Sequence, residues 1–356
     1  MKITIDGKAL VYCDGAFNTP EGKTAHGLIR FTERYEIVGV LDYKYAGQDA
    51  GLVLDGKKNG ILIYKDLKEA LSKLGAKNKP VSLVIGLAPD GGRLPPVAKI
   101  TIKDALERGM NVDSGLHDFL YKDEGLMAIA KANNCRVRDV RRTPDRDELH
   151  FFTGKIEQVD CLKIALLGTD SAIGKRTTSW ILVHAFRKAG LKAEMAGTGQ
   201  TAWMQGAKYS MIMDSCINDF VSGEIEHAVY EAWKNESPDL IVIEGQGSLM
   251  NPAYPGGFEI LAAGRPDYVI LQHAPKRVEY DGFPGYKLHP IKEQINAIEI
   301  ISGKKVIAIT VNHEEMTKEE ILPACKKITE ETGLPAFDVL EHGGDQLTEL
   351  LKSYLK

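Results

Sequence analysis

The sequence predicts an α/β protein with two doubly wound domains, each built on a parallel sheet. Short apolar runs of strand length, such as Val81 to Ile85, alternate with segments of helical periodicity along the whole chain. A loop bounded by Gly168 and Gly174 joins one such run to a helix, an arrangement typical of a phosphate-binding turn. Because a length of 356 residues suits two domains better than one, we place an N-terminal domain at residues 1–150 and a C-terminal domain at residues 158–356.

The composition argues against several classes of partner. A net charge of −4 and a pI near 6.2 disfavour non-specific nucleic-acid binding, which needs a basic face. No apolar run approaches membrane-spanning length, and the first residues lack the apolar core of a signal peptide. The five cysteines lie far apart without CxxC spacing, which indicates reduced thiols rather than disulfides or a zinc site. We therefore expect a cytoplasmic protein with no nucleic-acid partner, no membrane partner and no bound metal.

The N-terminal half carries the strand and helix pattern of a Rossmann-like domain. A strand at Ala9 to Cys13 leads into a glycine-containing loop, and a second strand, Glu36 to Leu41, ends at Asp42. An acid at that position can bind the ribose of a dinucleotide, but no GxGxxG motif precedes it, so a structural role stays open. The charged segment 141–148 is interpreted as a solvated linker, with a binding patch as the alternative.

The stretch from residue 163 to residue 180 is typical of a phosphate-binding loop. An apolar strand ends at Leu167, and helical spacing begins at about Arg176. Glycines let the backbone N–H groups point inward, the helix N-terminus adds partial positive charge, and the lysine adds a full charge. We expect the phosphates of a ligand to be bound by Gly168, Thr169, Asp170, Ser171, Ala172, Ile173, Gly174, Lys175, Arg176 and Thr177. A tight strand–helix turn with an incidental lysine is the alternative.

This loop departs from the common motif in two ways. Five residues instead of four lie between its glycines, and Arg176 stands where a Ser or Thr normally holds Mg²⁺. An arginine cannot ligate magnesium, because its guanidinium has donors only. The sequence therefore favours phosphate binding over ATP hydrolysis.

Two further strand ends carry residues suited to chemistry. Glu244 follows a buried strand, where related folds place a metal ligand or a water-orienting group, although a hydrogen bond to the loop is the simpler role. His273 follows another buried strand, at the edge where open α/β sheets bind their ligands. The glycine- and proline-rich segment 251–257 is a candidate lid.

Motifs in both halves resemble those of known families. GTDSAIGKRT and VIEGQGS are similar to the motifs of dethiobiotin synthetase and its P-loop NTPase-like relatives, which also have a five-residue loop interior. Over nearly its whole length the chain resembles the DUF1611 family, which includes D-glutamate N-acetyltransferase. The resemblance lies in GAF…GKTAHGLIR, GTDSAIGKRTT, GTGQTAWMQG, IEGQGSLMNP and LQHAPKR…DGFP.

The resemblance implies transfer of an acetyl group from acetyl-CoA to the amino group of an acidic D-amino acid. Coenzyme A can be bound without a catalytic metal, and its phosphates suit backbone amides, Lys175 and a bidentate arginine. We expect Glu244 or His273 to act as the base. Lys23, Arg30 and Arg93 are candidates to bind the carboxylates of the substrate, in a cleft between the domains.

Two other classes of function stay open at this point. An ATP- and Mg²⁺-dependent ligase or kinase of the dethiobiotin synthetase class would hold its metal with Thr177 or Glu244. A nucleotide-sensing module would bind without turnover. If the chain is an acetyltransferase, its partner is a small-molecule amino acid substrate. We also expect the chain to form a homo-oligomer.

Overall fold

The chain folds into two compact units. The computed structural model describes residues 6–356, so the first five residues of the predicted N-terminal domain, on which the expectation of no signal peptide also rests, lie outside the described residues. One unit extends to Thr143 and also contains Gln200–Gly206, and the other consists of Pro144–Gly199 and Ala207–Lys356. No sequence signal indicates that residues 200–206 belong to the first unit.

The first unit contains a six-stranded parallel sheet in the order β3-β2-β1-β4-β5-β6. After β1 the chain adds β2 and β3 on one side of that strand and then β4 to β6 on its other side, as in a Rossmann-like fold. The six strands β1 to β6 are Lys8–Tyr12, Glu36–Leu41, Ile63–Tyr64, Ser82–Ile85, Asn111–Ser114 and Val137–Asp139.

The second unit contains a seven-stranded parallel sheet in the order β13-β12-β11-β7-β10-β8-β9. Its central strand β7 is buried along its whole length, which explains its apolar run from residue 164 to residue 167. The seven strands β7 to β13 are Leu162–Gly168, Ala193–Gly197, Tyr209–Ser210, Leu240–Glu244, Tyr268–His273, Val306–Val311 and Ala336–Phe337.

Helices connect the strands of both sheets, as the alternating sequence pattern predicts. In chain order, α1 to α13 are Lys23–Arg30, Ala50–Asp55, Leu67–Leu74, Pro96–Glu107, Glu124–Ala132, Lys175–Lys188, Gln200–Gln205, Asn218–Glu236, Phe258–Gly264, Ile291–Ser302, Lys318–Thr332, Val339–His342 and Asp345–Lys352. Within residues 6–356, every helix is too short or too polar to cross a lipid bilayer.

Alternation of side chains explains how the first sheet builds two apolar layers. Leu10 and Leu83 belong to one buried cluster, whereas their neighbours Val11 and Val84 belong to another. Successive residues of a strand point to opposite faces of the sheet, so apolar strands require cover on both sides. The two doubly wound α/β domains expected from the sequence are thereby confirmed.

Helix α7 is anchored within the first unit by aromatic and amide contacts. The Trp203 ring lies under the guanidinium of Arg34 at 3.7 Å and that of Arg138 at 4.4 Å. The Gln205 amide donates to the carbonyl of Gly27 at 2.9 Å. Cation–π stacking and a buried hydrogen bond thus hold this segment within the first unit.

The interpretation of segment 141–148 as a uniformly solvated linker is wrong at its first residue. Arg141 is only 8% exposed, and its guanidinium donates to the carbonyl of Gly115, directly after β5. The long side chain reaches an acceptor that its sequence neighbours do not reveal. From Pro144 to Glu148 the segment is exposed.

Candidate functional site

The second sheet brings the phosphate loop and both candidate bases to one edge. Strand β7 lies between β10 and β11, and all three run parallel. Gly168 pairs with Gln272, and Glu244 pairs with Leu166. The carboxyl end of the central strand therefore carries the loop, with Glu244 on one side and His273 on the other, the usual ligand-binding edge of such a fold.

The glycines of the loop allow Lys175 to fold back over it. A Cβ at Gly168 would lie 2.9 Å from Cδ of Lys175, so a side chain there would displace the lysine from its place over the loop. Gly174 has φ of +93° and immediately precedes α6, which begins at Lys175, one residue before the expected start. The Lys175 ammonium donates to the carbonyls of Asp170 and Gly247, each at 2.7 Å. Its third N–H group can donate a hydrogen bond to an anion at the helix N-terminus.

Burial disfavours the charged form of Lys175. It lowers the pKa of Lys175 to about 8, although the negative charges of Asp170 and Glu244 oppose the shift. At neutral pH the ammonium is still mainly protonated. A phosphate bound beside it would favour the charged form further, so the site is suited to an anion.

Asp170 connects the loop to two other segments of the domain. Its fully buried carboxylate accepts from the Ser171 N–H at 2.7 Å and the Asn251 amide at 2.8 Å through Oδ1. Through Oδ2 it accepts from Arg277 at 2.9 Å and from the Asp281 N–H at 2.8 Å. The sequence places Asp170 among the phosphate-binding residues, but its oxygens face donors of the protein itself.

The two segments tethered by Asp170 flank the loop. In segment 246–257, the buried Asn251 also accepts from the backbone N–H groups of Ala253 and Tyr254 through Oδ1. The predicted lid, 251–257, is therefore fixed to the loop at its first residue. Residues 278–288 form a hairpin in which the Leu288 N–H donates to the Val278 carbonyl at 2.8 Å.

Glu244 is buried at the end of β10. It is 4% exposed, and its Oε2 accepts from the Thr198 N–H at 2.8 Å. Burial raises its pKa, while the positive charge of Arg176, the Thr198 N–H and the charge of Lys175 oppose that shift. A carboxylate with a raised pKa is a stronger base than an exposed one.

His273 is a weaker proton acceptor. Its Nδ1 lies 3.1 Å from Oγ1 of Thr169, within hydrogen-bond distance. Burial lowers its pKa to about 4, so the ring is neutral at pH 7. Because β10 and β11 flank β7, the strands that carry Glu244 and His273 are about 10 Å apart, two strand spacings. The structure therefore places these residues on either side of the loop instead of pairing them.

The depressed pKa of His273 predicts acid sensitivity. The unfolded chain binds a proton at about pH 6.5 and the folded one only near pH 4, so stability falls as pH drops through that window. His273→Gln should flatten the dependence of the unfolding free energy on pH between 7 and 4, by up to about 3 kcal/mol. Urea unfolding across this range measures it, with the exposed His342→Gln as the control. Equal slopes in His273→Gln and the wild type would contradict the prediction.

Two predicted substrate-binding cations lie near the strand ends of the first sheet. Lys23 is the exposed first residue of α1, and the exposed Arg93 follows the loop after β4. The Ala25 N–H donates to the Gly86 carbonyl at 3.0 Å, which joins the start of α1 to that loop. The start of α1 therefore lies beside the end of β4, at the edge where doubly wound sheets bind ligands.

Arg30 lies at the opposite end of α1, about 10 Å further along the helix axis. It forms a bidentate ion pair with Asp55, with Nη2 at 2.7 Å from Oδ1. The structure therefore gives Arg30 a carboxylate partner from its own domain and does not bring it to the same end of α1 as Lys23.

Asp42 serves its own loop. It is fully buried, and its Oδ2 accepts from the backbone N–H groups of Gly15 and Phe17 at 2.8 and 2.9 Å. The side chain shapes the turn after β1, which is the structural alternative left open by the sequence.

Within residues 6–356, no group of three or more His, Cys, Asp and Glu side chains is arranged to hold a metal ion.

The functional residues that sequence reasoning missed are Asn251 and Arg277, which bind Asp170. Their only sequence signal is their place in the IEGQGSLMNP and LQHAPKR motifs.

Comparison with known proteins agrees with this architecture. Residues 43–143 match the model of a domain of unknown function described as a Rossmann-like domain (DUF1611_N), and residues 150–348 match one described as a P-loop domain (DUF1611_C). A crystal structure of a DUF1611 family protein from Anabaena variabilis is similar, with a TM-score of 0.89 and 29% identity, covering 97% of this chain and 99% of the other.

Two curated relatives carry a functional name. A protein from Tritonibacter scottomollicae named D-glutamate N-acetyltransferase is 29% identical over 324 residues, covering 88% of this chain and 92% of the relative. A Pseudoalteromonas protein of the same name is 30% identical over 283 residues, covering 78% of this chain and 81% of the relative. With a Rossmann-like N-terminal domain and a P-loop C-terminal domain, the chain belongs to the DUF1611 family.

Proposed function

We propose that the protein transfers an acetyl group from acetyl-CoA to the amino group of an acidic D-amino acid, with D-glutamate as the first candidate. The observation that carries the proposal is a phosphate loop with Arg176 in the place of the metal-binding hydroxyl. The names of the two relatives support the choice of donor and acceptor.

The loop suits the phosphates of coenzyme A. Backbone N–H groups, the N-terminus of α6 and the Lys175 ammonium supply positive potential at one point. Arg176, in the first turn of the same helix, can bind a phosphate through two parallel N–H bonds. These groups bind a pyrophosphate without requiring Mg²⁺.

Acetyl transfer requires a neutral amine and a group that takes its proton. The amine nitrogen attacks the thioester carbonyl, the new C–N bond forms, and the C–S bond breaks to release the coenzyme A thiolate, which then takes up the amine's proton from Glu244. Glu244 accepts the proton that the amine loses, and its raised pKa suits that role. Because the pantetheine arm separates the thioester from the phosphates, the arm must fold back towards the strand ends. Lys23 and Arg93 are the candidates to bind the carboxylates of the acceptor.

Arg176→Ala should weaken coenzyme A binding by roughly ten- to a hundred-fold, because a charge-assisted bidentate contact contributes about 1.5–3 kcal/mol. Isothermal titration calorimetry measures the change. Lys188→Ala, at the exposed end of α6, is the matched control and should bind normally. Arg176→Lys should give an intermediate affinity, since it keeps the charge and loses the fork. Unchanged affinity in Arg176→Ala would show that the guanidinium does not contact the phosphates.

Ligand-induced stabilisation separates the proposed function from the alternatives. We expect acetyl-CoA to raise the melting temperature in the presence of EDTA, because a ligand at a hundred times its Kd stabilises the folded state by about 2.7 kcal/mol. Stabilisation by ATP–Mg²⁺ or GTP–Mg²⁺ alone would instead favour a ligase, a kinase or a nucleotide sensor. A mass-spectrometric screen of D- and L-amino acids with acetyl-CoA then identifies the acceptor.

A further inference from the structure

A cluster of three aromatic side chains lies beside the phosphate loop, and two of its rings are largely exposed. The Tyr254 ring lies 6.5 Å from the Phe283 ring, which lies 6.4 Å from the Tyr286 ring. Tyr254 is 53% exposed and Tyr286 is 59% exposed. Exposed rings gathered on one surface favour a planar ligand, because covering them removes apolar area from water.

The backbone contacts of Tyr254 place it next to Lys175. A Cβ at Gly247 would clash with the Tyr254 carbonyl oxygen, so the two backbones are in direct contact and only glycine fits. The Gly247 carbonyl in turn accepts from the Lys175 ammonium at 2.7 Å. Only Gly247 therefore lies between Tyr254 and the lysine of the phosphate loop in this chain of contacts.

The hairpin that carries the other two rings is fixed to the same loop. The Asp281 N–H donates to the Asp170 carboxylate at 2.8 Å, two residues before Phe283. Across the hairpin, the Tyr280 N–H donates to the Tyr286 carbonyl at 2.9 Å. The buried Tyr280 hydroxyl also lies 2.8 Å from Nδ1 of His289. The backbone beneath the exposed rings is thus held before any ligand binds, which lowers the entropic cost of binding.

We propose that this aromatic cluster (Tyr254, Phe283 and Tyr286) binds the adenine ring of a nucleotide whose phosphates lie on the loop Gly168–Gly174. The inference rests on the proposed function, in which that nucleotide is the 3′-phosphoadenosine diphosphate part of coenzyme A. Aromatic side chains stack on any base, because every base has a π face. The cluster is tethered to the loop at Gly247 and Asp170, so the rings lie near the phosphates of a nucleotide bound there.

Calorimetry with three fragments of the donor tests the proposal. Tyr254→Ala and Tyr286→Ala should each weaken the binding of coenzyme A and of adenosine 3′,5′-bisphosphate by about ten-fold, the loss expected for one stacking contact. Binding of 4′-phosphopantetheine, which lacks the base, should stay as in the wild type. Tyr286→Phe should bind normally, because it keeps the ring. Phe151→Ala, which removes a 67% exposed ring in the segment 144–161, is the matched control.

The possible outcomes distinguish failure of the adenine subsite from failure of the proposed reaction. Wild-type affinity for adenosine 3′,5′-bisphosphate in both alanine variants would overturn the subsite, even if acetyl transfer proceeds. An equal loss for all three ligands would also overturn it, because the rings would then act only through the shape of the loop. If the wild type binds ADP–Mg²⁺ and not coenzyme A, the proposed reaction fails. A ten-fold loss of ADP affinity in the variants would in that case still support base stacking on the cluster.

Discussion

Glu244→Gln is expected to lower kcat for acetyl transfer by about 10²–10⁴-fold while coenzyme A binds almost as before. The amide has the size of the carboxylate and can still accept from the Thr198 N–H, so the fold around β10 is preserved. It cannot accept a proton from the amine. Burial raises the pKa of Glu244, so wild-type activity should rise with pH as the carboxylate ionises and fall as pH drops below its pKa. In the variant, kcat should no longer fall as the pH drops through this range.

His273→Gln is the matched comparison for this prediction. The histidine lies at the end of the strand on the other side of β7, and its neutral ring is a weak base. We expect its kcat to stay within about ten-fold of the wild type, the effect of a positioning contact and not of a lost base. A large loss in His273→Gln together with normal turnover in Glu244→Gln would assign the proton transfer to the histidine.

Asp170→Asn is expected to destabilise the protein by about 3–5 kcal/mol, since it breaks a buried ion pair. Four donors converge on the two carboxylate oxygens. An asparagine offers one oxygen and turns an NH₂ group towards donors, and it leaves the half-buried Arg277 without its charge partner on this side. The hydrogen bond from Arg277 to Asp170 contributes to the raised pKa of that arginine, in opposition to burial.

Urea unfolding of Asp170→Asn measures this loss, with Asp345→Asn as the control. Asp345 pairs with Lys188 in an exposed ion pair, so its replacement should cost about 0–1 kcal/mol. If Asp170→Asn does not fold, Arg277→Lys provides a milder test, because it keeps the charge and loses the contact with the Ser171 carbonyl. Wild-type stability in both variants would show that the carboxylate does not hold the loop.

The phosphate loop and its neighbours could be predicted from the sequence because their signals are local. The strand before Gly168 is a continuous apolar run, and the helix after Gly174 has helical spacing over several turns. The ends of β10 and β11 at Glu244 and His273 follow from the same pattern. Parallel strands then bring these ends to one edge without any further information.

The contacts that shape the site depend on residues distant in sequence. Asp170 binds Asn251 and Arg277, 81 and 107 positions away, and a lone Asp in a loop carries no sign of such partners. The Arg30–Asp55 ion pair joins α1 to a helix that the apolar pattern does not mark. Trp203 likewise stacks on arginines of the first unit through an arrangement that only the tertiary structure provides.

Turnover in the presence of EDTA tests the central claim most directly. Purified protein is incubated with acetyl-CoA and D-glutamate, and free coenzyme A and N-acetyl product are quantified in the same sample. The proposed reaction predicts one equivalent of N-acetylglutamate for each coenzyme A released, with no dependence on ATP or Mg²⁺. Cleavage of ATP that depends on the amino acid, with no release of coenzyme A, would contradict the account.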